Sequence, residues 1–188
     1  MSAEEATLVR RCLRGNAEAI GDLVNRFQND VFGLCVRVLR HRHDAEDVTQ
    51  EVFLRVFRSL RRWDASRPLK PWIMGIAVNR CRTWMTQRNR RPELVDYLHD
   101  TVAGRMPDDS AELLREIEAA LGELRPEYRS VFVLFHQQGQ PYEEIAEALD
   151  RPVGTIKTWL HRARNEVLER LRRRGMVSDV FPLAGPDA

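Results

Sequence analysis

The sequence predicts an all-α protein built as two small helical domains joined by a linker. Three observations carry this. Apolar residues recur at three- and four-residue steps along almost the whole chain, and no stretch alternates as a half-buried strand does. Residues 92–109, PELVDYLHDTVAGRMPDD, gather Pro, Gly and Asp and lose that period, as a linker does. The 188 residues allow one domain or two small ones, and 43% hydrophobic content is enough for packed cores.

The elements follow in order. Ser2 can cap a first helix running to Leu13, which Gly15 ends. Asn16 can cap a second, with Ala19, Ile20, Leu23, Val24, Phe27, Val31, Leu34, Cys35 and Val38 on its inner side. Asp44 can cap a third, DAEDVTQEVFLRVFRSL, with Asp47 placed as in a capping box. Its inward stripe is Val48, Val52, Val56 and Leu60, with Phe53 and Phe57 beside it; Asp47, Gln50, Glu51, Leu54 and Arg58 face the other way. After the loop RRWDASRPLKP, Pro71 suits the first turn of a fourth helix, WIMGIAVNRCRTWMTQRNRR, expected to bury Ile73, Ile76, Ala77, Cys81 and Trp84. Four helices make one compact bundle, residues 1–91.

Beyond the linker, Ser110 is expected to cap a helix through Leu124 with Leu113, Leu114, Ile117, Leu121 and Leu124 inward. Pro126 opens another. The stretch PYEEIAEALDRPVGTIKTWLHRAR then reads as two helices around a tight turn at Asp150-Arg151-Pro152. On the second, Val153, Ile156, Leu160, Ala163 and Val167 form one stripe at 100° per residue. Thr155, Thr158, His161, Arg162 and Asn165 lie opposite, and Lys157 and Arg164 flank the stripe. Such side chains suit base edges and phosphates. The second domain is set at 110–174, and 175–188 reads as a frayed tail. A helix-turn-helix does not by itself separate repressor, activator or another DNA-bound role.

The net charge of +2 hides strong segregation. Residues 53–91 carry 11 Lys and Arg against one acid, net +10; residues 92–127 carry three Arg against ten acids, net −7; residues 151–174 carry eight basic residues against two acids, net +6. Two basic blocks around an acidic one point to a polyanion touched at two places.

Several classes are excluded or disfavoured. No run approaches the about 18 apolar residues of a membrane span, and MSAEEATLVRRCLRG has no signal-peptide core, so a cytoplasmic protein without membrane insertion is expected. Cys12, Cys35 and Cys81 stand far apart without a C-x-x-C pair. His41 and His43 could join Cys35 on a metal, but no fourth ligand has useful spacing, so a polar loop is the simpler reading and no metal is expected. No catalytic constellation or Gly-rich phosphate loop is visible, so neither enzyme activity nor a cofactor is expected.

Three stretches resemble, in order, the parts of an extracytoplasmic-function (ECF) sigma factor of the sigma-70 family. Asp44 to Leu60 is similar to the region 2 helix that docks on the clamp helices of the largest RNA polymerase subunit. Trp72 to Arg91 resembles the helix that melts and reads the −10 element. Pro141 to Arg164 resembles the region 4 helix-turn-helix that reads the −35 element. The resemblance covers roughly residues 5–173. It implies a region 2 bundle over 1–91, an acidic linker over 92–109, and region 4 over 110–174. It also implies a monomer within the holoenzyme that contacts core polymerase at clamp helices and flap, contacts promoter DNA, and is controlled by an anti-sigma factor.

By that resemblance, Asp47, Gln50, Glu51 and Leu54 meet polymerase. Trp63, Asn79, Arg80, Arg82, Thr83 and Thr86 serve the −10 element, the loop 63–68 sitting where the family captures a flipped base. Thr155, Lys157, Thr158, His161, Arg162 and Arg164 serve the −35 element. The chain also departs from the family: Trp159 stands where many members have Arg, Gln140-Pro141 replaces a common Leu-Ser, and Leu69-Lys70-Pro71-Trp72 replaces the usual Phe-Arg-x-Trp. Trp159 lies about 80° off the inward stripe, leaving three roles open to it: packing, stacking on a sugar, or meeting another protein. Two other readings stand beside the leading one. A stand-alone DNA-binding regulator would bind duplex without polymerase; a protein-only module would tolerate neutralised basic helices.

Overall fold

A computed structural model describes residues 3–88 and 108–177. The expected linker 92–109 lies outside these apart from its last two residues, as do Asn89 to Arg91 and the tail from 178 on. The described residues form eight α-helices: α1 (Ala3–Leu13), α2 (Ala17–Leu39), α3 (Arg42–Ser59), α4 (Leu69–Arg88), α5 (Asp108–Gly122), α6 (Pro126–Phe132), α7 (Tyr142–Leu149) and α8 (Val153–Arg173).

Helix ends show the expected chemistry with two shifts. Asn16 caps α2, its side chain accepting the Ala19 N–H at 2.8 Å. The third helix begins earlier than expected: His41 is its cap, with Nδ1 accepting the Asp44 N–H at 3.2 Å. Asp44 therefore sits in the first turn, where a carboxylate suits the helix dipole, and there it pairs with Arg88 of α4. His41 thus serves a helix end while Cys35 lies buried 3.8 Å from the Cys81 sulfur, so the two do not converge as metal ligands. Likewise α5 starts at Asp108, and Ser110 is inside the helix rather than at its cap.

Helices α1 to α4 enclose a core of Leu23, Leu34, Val48, Val52, Ile73 and their neighbours, all but withdrawn from water. Each such side chain contributes about 2 kcal/mol of transfer free energy before entropy is subtracted. A second, smaller core joins α5, α6 and α8 through Leu121, Leu124, Tyr128, Ala163, Val167 and Leu171. Leu113 and Leu114, expected inside, are 37% and 49% exposed. The reason is length. Arg174, just past the end of α8, pairs with Glu116, so the first turns of α5 run beyond the helix that would cover them.

The larger core does not stop at α4. It continues into Val131, Val133, Leu134, Ile145, Leu149, Ile156 and Leu160 of the C-terminal half. Helix α4 is therefore buried on two sides, against α2 and α3 and against α7. Met74, Gly75 and Val78 are buried in addition to the expected Ile73, Ala77 and Cys81, whereas Ile76 and Trp84 are half-buried.

Candidate nucleic-acid interface

Helix α8 offers the clearest binding face. Asp150 ends α7 in the left-handed region (φ 52°), and Pro152 starts α8 directly after it. Ile156, Leu160, Ala163, Val167 and Leu171 are buried, which fixes the rotation of the helix. Lys157, Thr158, His161 and Arg162 then face solvent, with Thr155, Arg164 and Asn165 half-buried at the edges. All six residues assigned to the −35 element thus lie on one side of one helix.

That face is braced from below. Phe135 and Tyr142 stack with ring centroids 4.9 Å apart. The Lys157 ammonium lies 5.5 Å from the Tyr142 ring and the Arg164 guanidinium 5.2 Å from the Phe135 ring. Arg164 Nε also donates to His136 Nε2 at 3.1 Å. Burial, with the Arg164 cation beside it, pulls the His136 pKa below its ordinary value, which keeps the ring neutral and able to accept. Arg162 donates to the Tyr128 hydroxyl at 3.2 Å, and that bond, with Arg125 also donating to it, lowers the Tyr128 pKa. Tyr128, Phe135, His136 and Tyr142 thus orient three cations on the binding face. Sequence reasoning missed this set, because Tyr128 and Arg162 are 34 residues apart and no periodicity links them.

The N-terminal basic block is arranged differently from expectation. Asn79, Thr83 and Thr86 are exposed on α4. Thr83 donates to the Asn79 carbonyl and Thr86 to the Arg82 carbonyl, each at 2.9 Å, so their hydroxyl lone pairs are what they present outward. Arg82 is half-buried. Two assigned residues are not on this surface. Arg80 is 7% exposed and forms an ion pair with Glu51 of α3, its guanidinium also 5.7 Å from the Trp84 ring. Trp63 is 8% exposed, packed in the core, and its indole N–H meets no protein acceptor. In this arrangement neither is free to stack on or grip a nucleic acid. The 3-10 turn Leu60–Arg62 rolls Trp63 inward, and Glu51 lies within reach across the helix pair.

Along α3, Asp47, Gln50 and Leu54 form an outward strip, with Leu54 56% exposed. Glu51 borders it, half-buried, and the bond from Arg80 holds its carboxyl below the usual range. An acid, an amide and an exposed leucine make a surface suited to protein rather than to phosphate. Trp159 is also placed. It is half-buried, packs against both cores, and lies 6.5 Å from the Tyr128 ring, so it acts as a packing residue here. No described helix is long and apolar enough to cross a membrane.

Residues 23–91 match the sigma-70 region 2 family and residues 114–167 the sigma-70 region 4 family. The ECF RNA polymerase sigma factor SigW of Bacillus subtilis is 32% identical over 181 residues, covering 87% of this chain and 95% of the relative. The ECF RNA polymerase sigma-E factor of Haemophilus influenzae is 31% identical over 186 residues, covering 90% and 98%. Two solved structures share the fold. One is the sigma factor RpoE bound to the anti-sigma factor NepR from Bartonella quintana (TM-score 0.68, 22% identity, 81% of this chain and 96% of that one). The other is CnrH bound to the cytosolic domain of CnrY (TM-score 0.65, 24% identity, 89% and 96%).

Proposed function

This chain belongs to the ECF class of the sigma-70 family, and from that premise we propose how its surfaces divide the work of promoter-specific initiation. The strip Asp47, Gln50, Glu51 and Leu54 on α3 docks on core RNA polymerase. Asn79, Arg82, Thr83 and Thr86 of α4 meet the −10 element. Thr155, Lys157, Thr158, His161, Arg162 and Arg164 of α8 meet the −35 element. The domain limits 1–91, 92–109 and 110–174 belong to the same proposal. The protein then acts by binding and positioning in the cytoplasm rather than by catalysing a reaction itself, and an anti-sigma factor holds it inactive.

One observation carries this reading above a stand-alone regulator. A leucine 56% exposed beside an acid and an amide on α3 suits a protein partner better than a phosphate backbone, and it is the most exposed large apolar side chain among the described residues. Arg80 and Trp63 enter the proposal as supports: Arg80 ties α3 to α4 through Glu51, and Trp63 anchors the loop before α4.

Run-off transcription on fragmented genomic DNA with bacterial core polymerase tests the proposal. Discrete new transcripts downstream of paired −35/−10-like sequences are expected only when the protein is added. Asp47→Arg should abolish polymerase binding while the helical spectrum stays unchanged. Arg162→Glu should weaken promoter binding and reduce its logarithmic salt slope by about 1. Equal loss of both activities in either variant would contradict the division of labour.

A further inference from the structure

The binding face of α8 divides its side chains by what already holds them. Lys157 and Arg164 lie against the Tyr142 and Phe135 rings, and Arg162 donates to the Tyr128 hydroxyl at 3.2 Å. Cations fixed in this way suit phosphates, contacts that set position and carry no sequence information. Base edges are left to the uncharged groups between them. Thr158 and His161 are the exposed ones, about 4.5 Å apart along the helix axis. That rise is close to the roughly 3.4 Å between successive nucleotides of a DNA strand, so the two side chains can address neighbouring base pairs.

Each of the two has its hydrogen-bonding sense decided before DNA arrives. The Thr158 hydroxyl donates to the Gly154 carbonyl at 2.8 Å, so only its lone pairs remain for a base. His161 Nε2 lies 3.0 Å from the side-chain nitrogen of Asn165, one turn farther along α8. An amide nitrogen only donates, so Nε2 must accept, and the single proton of the neutral ring sits on Nδ1. Asn165 itself stands back from the exposed surface: it is half-buried, and its Oδ1 is buried without a protein partner. Turning the amide over would bury two N–H donors without an acceptor, which folded proteins tolerate less than a carbonyl oxygen without a donor. The arrangement with Nδ2 against the ring is therefore the favoured one.

We propose that Asn165 is a positioning residue that sets the tautomer of His161, and that α8 thereby carries two fixed base preferences: His161 Nδ1–H donates to an acceptor edge, and Thr158 accepts from a donor edge. In the major groove guanine offers two acceptors, N7 and O6, whereas cytosine offers only the N4 amino donor. His161 therefore selects guanine and rejects cytosine on the strand it faces. Thr158 selects adenine or cytosine, whose amino groups donate, at the neighbouring pair. The proposal rests on the sigma-factor reading above, and its test separates the two.

Ring-nitrogen NMR of the isotope-labelled full chain at mildly alkaline pH reads the tautomer, with His161→Ala identifying the signal. The parent should carry the proton on Nδ1. Asn165→Ala keeps the helix, since alanine is the best helix former, and should shift the proton to Nε2, the tautomer that a free neutral histidine favours. Run-off transcription by the holoenzyme from promoters randomised over the −35 element reads the bases. The base pair at which His161→Ala alters the preference locates His161 on the element. There the parent should favour guanine, and Asn165→Ala should reduce that preference about fivefold, as the loss of one hydrogen bond does, with other positions unchanged. Thr158→Val should erase a preference for adenine or cytosine at an adjacent pair. A parent ring protonated on Nε2 would overturn the proposal. So would an Asn165→Ala variant that leaves the guanine preference undiminished, or one that weakens all promoters evenly, the sign of a purely structural role. Parent transcription indifferent to the −35 sequence would refute the −35 assignment in the sigma-factor reading and this proposal with it. An Nε2–H ring beside intact −35 selectivity would refute this proposal alone.

Discussion

Replacing Arg129 with Met should be among the most destabilising single changes this protein can suffer. The guanidinium is 8% exposed and donates to the carbonyls of Leu121 (2.8 Å), Leu124 (2.9 Å), Val38 (2.7 Å) and Gly122. No carboxylate is among these partners. The cation is held by the carbonyl-rich C-terminal ends of α2 and α5, where the helix dipoles are negative. Burial, helped by the neighbouring Arg40 cation, draws its pKa down to about 10, so it remains charged at neutral pH. Methionine retains the apolar stem and removes every donor. A buried carbonyl that loses its partner costs about 1–3 kcal/mol. Three of the four bonds are fully buried, so the expected loss is about 4 kcal/mol against a total stability of about 5–15 kcal/mol. With a urea slope of about 2 kcal/mol/M, the unfolding midpoint of the whole chain should fall by about 2 M. Arg129→Lys should recover less than half, because one ammonium cannot reach carbonyls on two sides as a planar fork does. A midpoint shift below about 0.5 M for the Met variant, or full recovery by Lys, would show that these carbonyls find other partners and refute the reasoning.

Three further outcomes follow from individual side chains. Gln140 is 3% exposed, and neither its amide nitrogen nor its oxygen has a protein partner, so Gln140→Leu should raise the urea midpoint, by about 1–3 kcal/mol in stability; a lower midpoint would show that the amide is satisfied. His136 has a folded pKa below its ordinary 6.5, so as pH falls below that value the unfolded chain binds the proton first and stability declines. Urea titrations at pH 7.5 and 5.5 should show this decline, and His136→Gln should lessen it. Tyr128→Phe removes the hydroxyl that holds Arg162, and should weaken −35 duplex binding about threefold, roughly 0.65 kcal/mol, while leaving the salt slope unchanged, because the cation itself remains. A changed slope would mean that Tyr128 contacts the DNA electrostatics directly.

Much of this protein is legible without coordinates. Period and turn residues locate every described helix to within a few positions, and the buried stripe of α8 follows from spacing alone, because one face must leave water and 3.6 residues per turn decides which. The strip on α3 is readable for the same reason. Even α4 carries a sign of its double burial: WIMGIAV runs two turns without a polar residue, the mark of a helix covered by more than one neighbour. What spacing does not contain is the identity of the neighbour. The resemblance assigns Trp63 and Arg80 to the −10 element, but the turn at Leu60–Arg62 and the carboxylate of Glu51 draw both inward. Leu113 and Leu114 look inward until α8 proves too short to cover them. Tyr128 under Arg162, α7 against Gly75 and Arg129 at the end of α2 each join residues between 34 and 91 positions apart, counting Ala148 as the partner of Gly75. Local periodicity fixes which side of a helix seeks burial. Only tertiary packing decides which surface meets it, since that depends on distant segments whose spacing leaves no trace in any one stretch of chain.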